Sequence, residues 1–292
     1  MTAPVFGDVL GPRGQRKVLV ASLVATVLAV GMAYLIVRRL ADAGQLEWAL
    51  WEPFTQAAIW RFLLVGLRNT GQVAAVSMVL SLAIGMSLAL GRLARSAPIR
   101  WIAGLWVEFF RGVPLLLLIL FSALGLPKYG IDLSLFWYLV LGLVLYNSAI
   151  LGEIFRAGIL SLDRGQTEAA TAIGLTYWQS MRLVILPQAL RRMVPAIVSQ
   201  LVTLLKDTSL GFVISFEELL RRANIVGTFS KNLLQALFVV ALMYIAVNFS
   251  LSRLARRLEV GQRRRLGASA INVGGAEELA VLEAHGRDAP SP

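Results

Sequence analysis

Three groups of ionisable side chains sit inside otherwise apolar stretches of this 292-residue sequence: Glu108 with Arg111, Glu153 with Arg156, and Lys206 beside Asp207. An ionised group at mid-bilayer costs about 2.5–3.5 kcal/mol on insertion scales, so each needs a partner or a task. The first two pairs are spaced i, i+3, which places opposite charges on one helix face and lets each pair neutralise itself. Adjacent residues share no face. Lys206 or Asp207 must therefore meet a counter-charge on another helix, at an aqueous surface or on a solute, with Thr208 and Ser209 adding hydroxyls alongside. Bond-making chemistry finds no such support. None of the four lysines follows Gly and precedes Ser or Thr, so there is no phosphate-cradling P-loop. There is no Gly-x-Ser-x-Gly elbow and no paired-His metal helix, and the chain has no Cys and a single His, His285. No catalytic residue, metal or cofactor is expected in this chain; polar groups buried at several depths without a catalytic constellation point to something being moved.

The elements that must position these groups are membrane spans. Hydrophobic residues make up 57% of the chain and charged ones 15%, against about 25% charged in soluble domains. About 20 apolar residues cross the roughly 30 Å hydrocarbon layer, and such stretches fall at 18–37, 72–90, 101–124, 134–152, 194–215 and 232–251. The fold expected is all-α, a polytopic bundle of about six helices. The first stretch also has the basic start of a signal peptide, but its apolar core is too long and Arg38 and Arg39 stand before any cleavage site, so it reads as a retained anchor. The net charge of +11 does not indicate nucleic acid, because a basic DNA binder does not separate its charges with 20-residue apolar runs. With the N-terminus in the cytosol, eighteen Lys/Arg fall inside and eight outside, which places both termini in the cytosol of a multi-pass cell-membrane protein. Ser77, Ser81, Gly85 and Ala89 form a small-residue stripe suited to close helix packing within the bundle. Three regions follow: 1–65 with a cytosolic N-terminus, the extra span and an external loop, a core at 66–255, and a cytosolic basic tail at 256–292 that is expected to be disordered, apart from 276–284, which has the pattern of a short helix.

Between the fourth and fifth stretches lies DRGQTEAATAIGLTYWQSMRLVILP, residues 163–187. Glu168, Ala169 and Ala170 lead a short helical run closed by Gly174, and a second amphipathic run ends at Pro187. Small side chains on an exposed helix bury little alone but let it seat deeply in another protein's groove. The segment reads as a docking element, with a solvated connector as the plainer alternative.

The Glu-Ala-Ala start, the spacing to Gly174 and the closing Val184-x-Leu186-Pro187 resemble the EAA loop of ABC-importer permeases, with Val184 where that family usually has Ile. EFFRGVPLL at 108–116, EIFRAGI at 153–159, Gly165-Gln166 and LKDTSL at 205–210 resemble the polar amino-acid branch (histidine, glutamine and glutamate type) over about 66–255, and most of all actinobacterial glutamate permeases. The 24 Arg against 4 Lys also suit a GC-rich genome. The resemblance implies the type I importer permease fold and one half of a two-permease pore. Its partners would be a second permease subunit, the same or homologous, an ATP-binding subunit carrying ATP and Mg, an extracytoplasmic solute-binding protein, the amino acid and the lipid bilayer. In the family the loop is the coupling helix seated on the ATPase, which assigns Glu168, Ala169, Ala170, Gly174 and Pro187 to coupling. Glu108, Arg111, Gly112, Pro114 and Arg156 belong to the structural motifs. A zwitterionic solute needs donors for its carboxylate and acceptors for its ammonium, so Asn147, Ser148, Glu153, Lys206, Asp207, Thr208 and Ser209 are the pathway candidates. Val113 replaces a common Thr, and Ile150 stands where many relatives have Tyr; if that Tyr lines a pathway, this half differs in solute or leaves the contact to its partner. An ion-gradient-driven secondary transporter, a permease for another polar amino acid, or a non-transporting scaffold would be the alternatives.

Overall fold

A computed structural model of the protein describes residues 11–253. The tail at 256–292, including 276–284, lies outside the described residues, as do the first ten. Among the described residues every regular element is helical.

Helix α1 (Pro12–Asp42) is long and carries no charge between Val18 and Val37, and the span within it buries none of its residues against the rest of the chain. A polypeptide that exposes Leu28, Met32 and Tyr34 on every side suits a lipid solvent. Its connection to α2 (Ala57–Arg92) folds back through two short 3₁₀ turns, where Trp51 meets Phe238 edge-on at 6.0 Å. At 1.5 Å per residue α2 is about 54 Å long, more than the bilayer requires. The packed body begins on its first turns, where Leu63 and Gly66 are buried.

The expected single span at 101–124 is instead broken into α3 (Ala97–Gly112) and a second arm, Leu115–Tyr129, that begins with α4 (Leu115–Leu120), the two arms bent by 99° at Val113 and Pro114. Proline drives its predecessor out of helical torsions, and Val113 is extended at φ −84°, ψ 129°. Pro114 then caps α4, its carbonyl accepting from Leu117 at 2.9 Å.

Helix α5 (Leu135–Leu160) is the central element and packs along α2. The small-residue stripe makes this possible. Ser77, Ser81, Gly85 and Ala89 are all buried, and a Cβ added to Gly85 would lie 2.9 Å from Leu151 Cβ and 3.0 Å from the Ser148 carbonyl. Helix α8 (Leu186–Asp207) lies against α5, Gly158 of α5 making room for Met193. Pro187 occupies the first turn of α8, where a missing N–H costs nothing. The stretch expected at 194–215 thus starts eight residues earlier and finishes as a 3₁₀ segment, Thr208–Ile214. A short helix α9 (Leu219–Phe229) crosses the first turns of α2, and α10 (Leu233–Arg253) is the last span. Between α5 and α8 run α6 (Arg164–Ala172), α7 (Tyr177–Ser180) and a wide π turn at Met181–Ile185.

Candidate functional site

The segment 163–187 is a helical hairpin with a cap at every joint. Asp163 begins α6, its carboxylate accepting from the Gly165 amide at 2.8 Å. At the other end the Leu175 amide donates to the Ala170 carbonyl (3.1 Å) and the Gly174 amide to that of Thr171 (3.0 Å), the paired bonds of a left-handed helix stop. Gly174 supplies the left-handed residue, at φ +84°. A Cβ there would meet nothing within 4 Å, so the torsion and not the space within this chain calls for glycine. Thr176 and Gln179 then form a reciprocal capping box that starts α7.

The coupling candidates divide by face. Glu168, Ala169 and Gly174 are exposed, as is Pro187 at the head of α8. Ala170 is buried, on the side where α6 lies against the Met181–Ile185 turn. Ile173 and Trp178 stand out beside the exposed set at 76% and 63% accessibility. The hairpin therefore presents small and apolar side chains to its surroundings on a rigid, fully capped frame.

The charged pairs are resolved differently from one another. Glu153 does hold Arg156, accepting at Oε1 from Nε and Nη2 at 3.1 and 2.7 Å. A second guanidinium joins them: Arg92, the last residue of α2, donates to Glu153 Oε2. Glu108 does not pair with Arg111 as the i, i+3 spacing allowed. It stands 4.0 Å from Arg92 Nη2, with its side chain 77% exposed. The bend at Val113 ends α3 one turn after Glu108, and Arg92 already concentrates positive charge beside it; Arg111 is left exposed with Gly112 and Pro114.

Of the pathway candidates, Asn147 and Ser148 are fully buried. Asn147 donates to the Leu143 carbonyl at 2.9 Å and accepts from Gln200 of α8 at 2.7 Å, while Ser148 donates to Leu145 at 3.1 Å. Asp207 and Ser209 are half-buried, Lys206 is exposed, and Thr208 is buried with its hydroxyl on the Leu205 carbonyl at 2.7 Å. Among the described residues neither Lys206 nor Asp207 forms an ion pair. The candidates fall into three places: the Glu153 cluster, the α5–α8 seam, and the α8 terminus.

A further polar node gave no sign in the sequence. Glu218 is wholly buried and caps α9, accepting from the amides of Leu220 (2.8 Å) and Arg221 (2.6 Å) and from the Tyr244 hydroxyl of α10 (2.9 Å). Burial pushes its carboxyl above the ordinary range, and the three donors pull in the opposite direction. Beside it Arg222 donates to Glu217 at 2.7 Å and to the Phe62 carbonyl of α2 at 3.0 Å, with its guanidinium over the Phe62 ring. Arg92, Gln200, Glu218 and Tyr244 are the polar residues sequence reasoning missed. Only Arg92, a charge at the end of a span, carried a local signal.

The chain as a whole is similar to known proteins. A glutamate transport system permease protein, GluD, of Corynebacterium glutamicum is 39% identical over 238 residues, covering 80% of this chain and 86% of the relative. A probable glutamine ABC transporter permease protein, GlnP, of Bacillus subtilis is 44% identical over 204 residues, covering 69% and 94%. The crystal structure of an amino acid ABC transporter with histidines superposes with a TM-score of 0.67 at 30% identity, over 70% of this chain and 96% of that one. Residues 81–264, from the small-residue stripe of α2 past the end of α10, match the family described as the inner membrane component of binding-protein-dependent transport systems, and to that family this chain belongs.

Proposed function

We propose that this chain is the permease subunit of an ATP-driven importer of polar amino acids, glutamate favoured, and that it forms half of a pore with a second permease subunit. The observation that carries the reading is the capped hairpin at 163–187, rigid and studded with exposed small and apolar residues, within a chain whose relatives bear the names of glutamate and glutamine permeases. A separate ATP-binding subunit, with its ATP and Mg, would grip α6 around Glu168 and Ala169. Gly174 holds the hairpin's turn, Ala170 seats α6 on the body, and Pro187 starts the helix that receives the motion. A solute-binding protein would deliver the amino acid to the face bearing α9, and both termini would lie in the cytosol.

Motion of α6 reaches the membrane directly, because α7 and the π turn run without a loop into α8. Helix α8 ends at Lys206 and Asp207, is followed at once by Thr208 and Ser209 of the 3₁₀ segment, and touches Asn147 through Gln200. A cation, a carboxylate and hydroxyls at one helix end match the ammonium and carboxylate of an amino acid. Asn147 and Ser148 would act from the seam between α5 and α8, and Glu153 would fix α5 to α2. The test is uptake in proteoliposomes. Import that needs ATP, the ATP-binding subunit and the binding protein is the expected result, with glutamate competing best; import by this chain alone under a pH gradient would overturn it.

A further inference from the structure

A cavity of 580 Å³ opens behind α6, between that helix, the Met181–Ile185 turn and the adjoining ends of α2 and α5. Arg164, Thr167 and Thr171, spaced i, i+3, i+7, turn one face of α6 into it. Glu168, Ala169 and Ala172 lie on other faces. Arg95 stands on the rim, its guanidinium 5.3 Å from the centre of the Tyr177 ring. Among the described residues neither Arg95 nor Arg164 forms an ion pair. The Ser180 hydroxyl, 4% exposed, lines the cavity and has no hydrogen-bond partner, a cost that an occupant would relieve. Ile159, Met181 and Ile185 make the floor apolar. A ligand for this space must carry negative charge at its edge and aliphatic groups at its centre.

The chain contains such a ligand. Residues 276–284, AEELAVLEA, hold three carboxylates and no basic residue, interleaved with Leu279, Val281 and Leu282. The residues just after Arg253 are rich in arginine, Arg256, Arg257 and Arg263 to Arg265, and the rim would repel them. Geometry brings the segment within range. Helix α10 starts beside the connection that precedes α2, where Asn232 and Gln235 donate to the Leu50 and Gln45 carbonyls, and its 21 residues run toward the opposite end of the bundle, where Leu93 and Arg95 line the cavity. The 22 residues 254–275 reach up to about 70 Å when extended, several helix diameters of about 10 Å. We infer that residues 276–284 dock in the cavity behind α6, with Glu277, Glu278 and Glu283 toward Arg95 and Arg164 and the leucines on the apolar floor. The segment buttresses α6 from the side that Arg164, Thr167 and Thr171 turn to the cavity. Any consequence for transport rests on α6 being the coupling element; the occupancy does not.

The absence of native cysteine allows a direct test on the full chain in nanodiscs. Leu160 lines the cavity and is 58% exposed, so Leu160→Cys paired with Leu279→Cys should cross-link several-fold more than Leu160→Cys paired with Ser269→Cys. Arg95→Glu with Arg164→Glu should abolish the difference, and adding Glu277→Arg, Glu278→Arg and Glu283→Arg should restore it. Equal cross-linking of the two pairs, or a difference indifferent to charge reversal, would overturn the inference. A second measurement leaves the rim intact: maleimide labelling of Leu160→Cys should speed up several-fold when 276–292 are removed. Protection that survives the truncation and instead requires the ATP-binding subunit or anionic lipid would assign the cavity to that occupant and reject the tail. Cross-linking without any ATP-dependent uptake by the wild-type assembly would leave the docking standing and count against the transport reading alone.

Discussion

Arg92 and Glu153 are 61 residues apart in sequence and joined by a hydrogen-bonded ion pair that locks the end of α2 to α5. The carboxylate also carries Arg156, so removing it leaves two guanidiniums facing each other at an interior seam. Glu153→Ala should cost about 1–3 kcal/mol, in the range for charge-assisted bonds at partly buried sites. Glu108→Ala, by contrast, should cost about 0–1 kcal/mol, because that carboxylate is exposed and 4.0 Å away. Thermal unfolding in nanodiscs separates the two; equal losses would mean that Arg92 depends on Glu108 as much as on Glu153.

Gly174 is needed for its torsion, which makes its substitutions rank by backbone preference. Asn, which visits the left-handed region readily, should be tolerated; Ala should loosen the hairpin by about 1 kcal/mol and a β-branched Val by more. Co-purification of the ATP-binding subunit should follow the order Gly, Asn, Ala, Val while membrane insertion stays constant. If Asn proves as damaging as Val, the partner reads the missing side chain itself.

Hydropathy located the spans because the lipid imposes one long-range rule on every residue of a span. The EAA pattern located the hairpin because capping and stopping a helix are local chemistry, written in Asp163, Gly174 and Thr176. The bend at Val113 is equally local, and Pro114 announces it, but the largely apolar run 101–124, interrupted by Glu108 and Arg111, has the length of one span. Spacing along one helix permitted a Glu108–Arg111 pair; only the three-dimensional arrangement brought Arg92 into competition for the carboxylate. Nothing local distinguishes Glu218 from Glu217, yet one is wholly buried and the other is exposed, because α10 places Tyr244 over one of them. Ala170 faces inward for the same kind of reason: the turn it meets lies eleven residues further along the chain.

The Asn147–Gln200 bond spans the seam along which α8 meets α5. Gln200→Ala strands the buried Asn147 oxygen and should cost about 1–3 kcal/mol, whereas Asn147→Leu combined with Gln200→Leu should cost less than the sum of the two single changes. A double-mutant cycle on unfolding checks this. Uptake should fall in the singles by more than stability explains if the seam moves during transport, and additivity in the cycle would show that the two amides act independently.

Glu218 lies between spans, and its titration sets a pH dependence with a definite sign. Burial raises its carboxyl pKa in the folded protein above the ordinary value of about 4.3. A raised folded pKa means that the native state binds the proton more tightly than the unfolded chain, so the associated stability is complete below the ordinary value. It is lost as pH rises through the folded value. The melting temperature should therefore decline from mildly acidic toward neutral pH. Glu218→Gln resembles the protonated carboxyl and has no proton to lose, so its profile should be flat across that window, close to wild type in acid and above it toward neutral pH, where wild type carries the buried charge. Tyr244→Phe removes one donor that favours the charged form and should move the wild-type decline to higher pH. A decline that persists unchanged in Glu218→Gln would place the titrating group elsewhere.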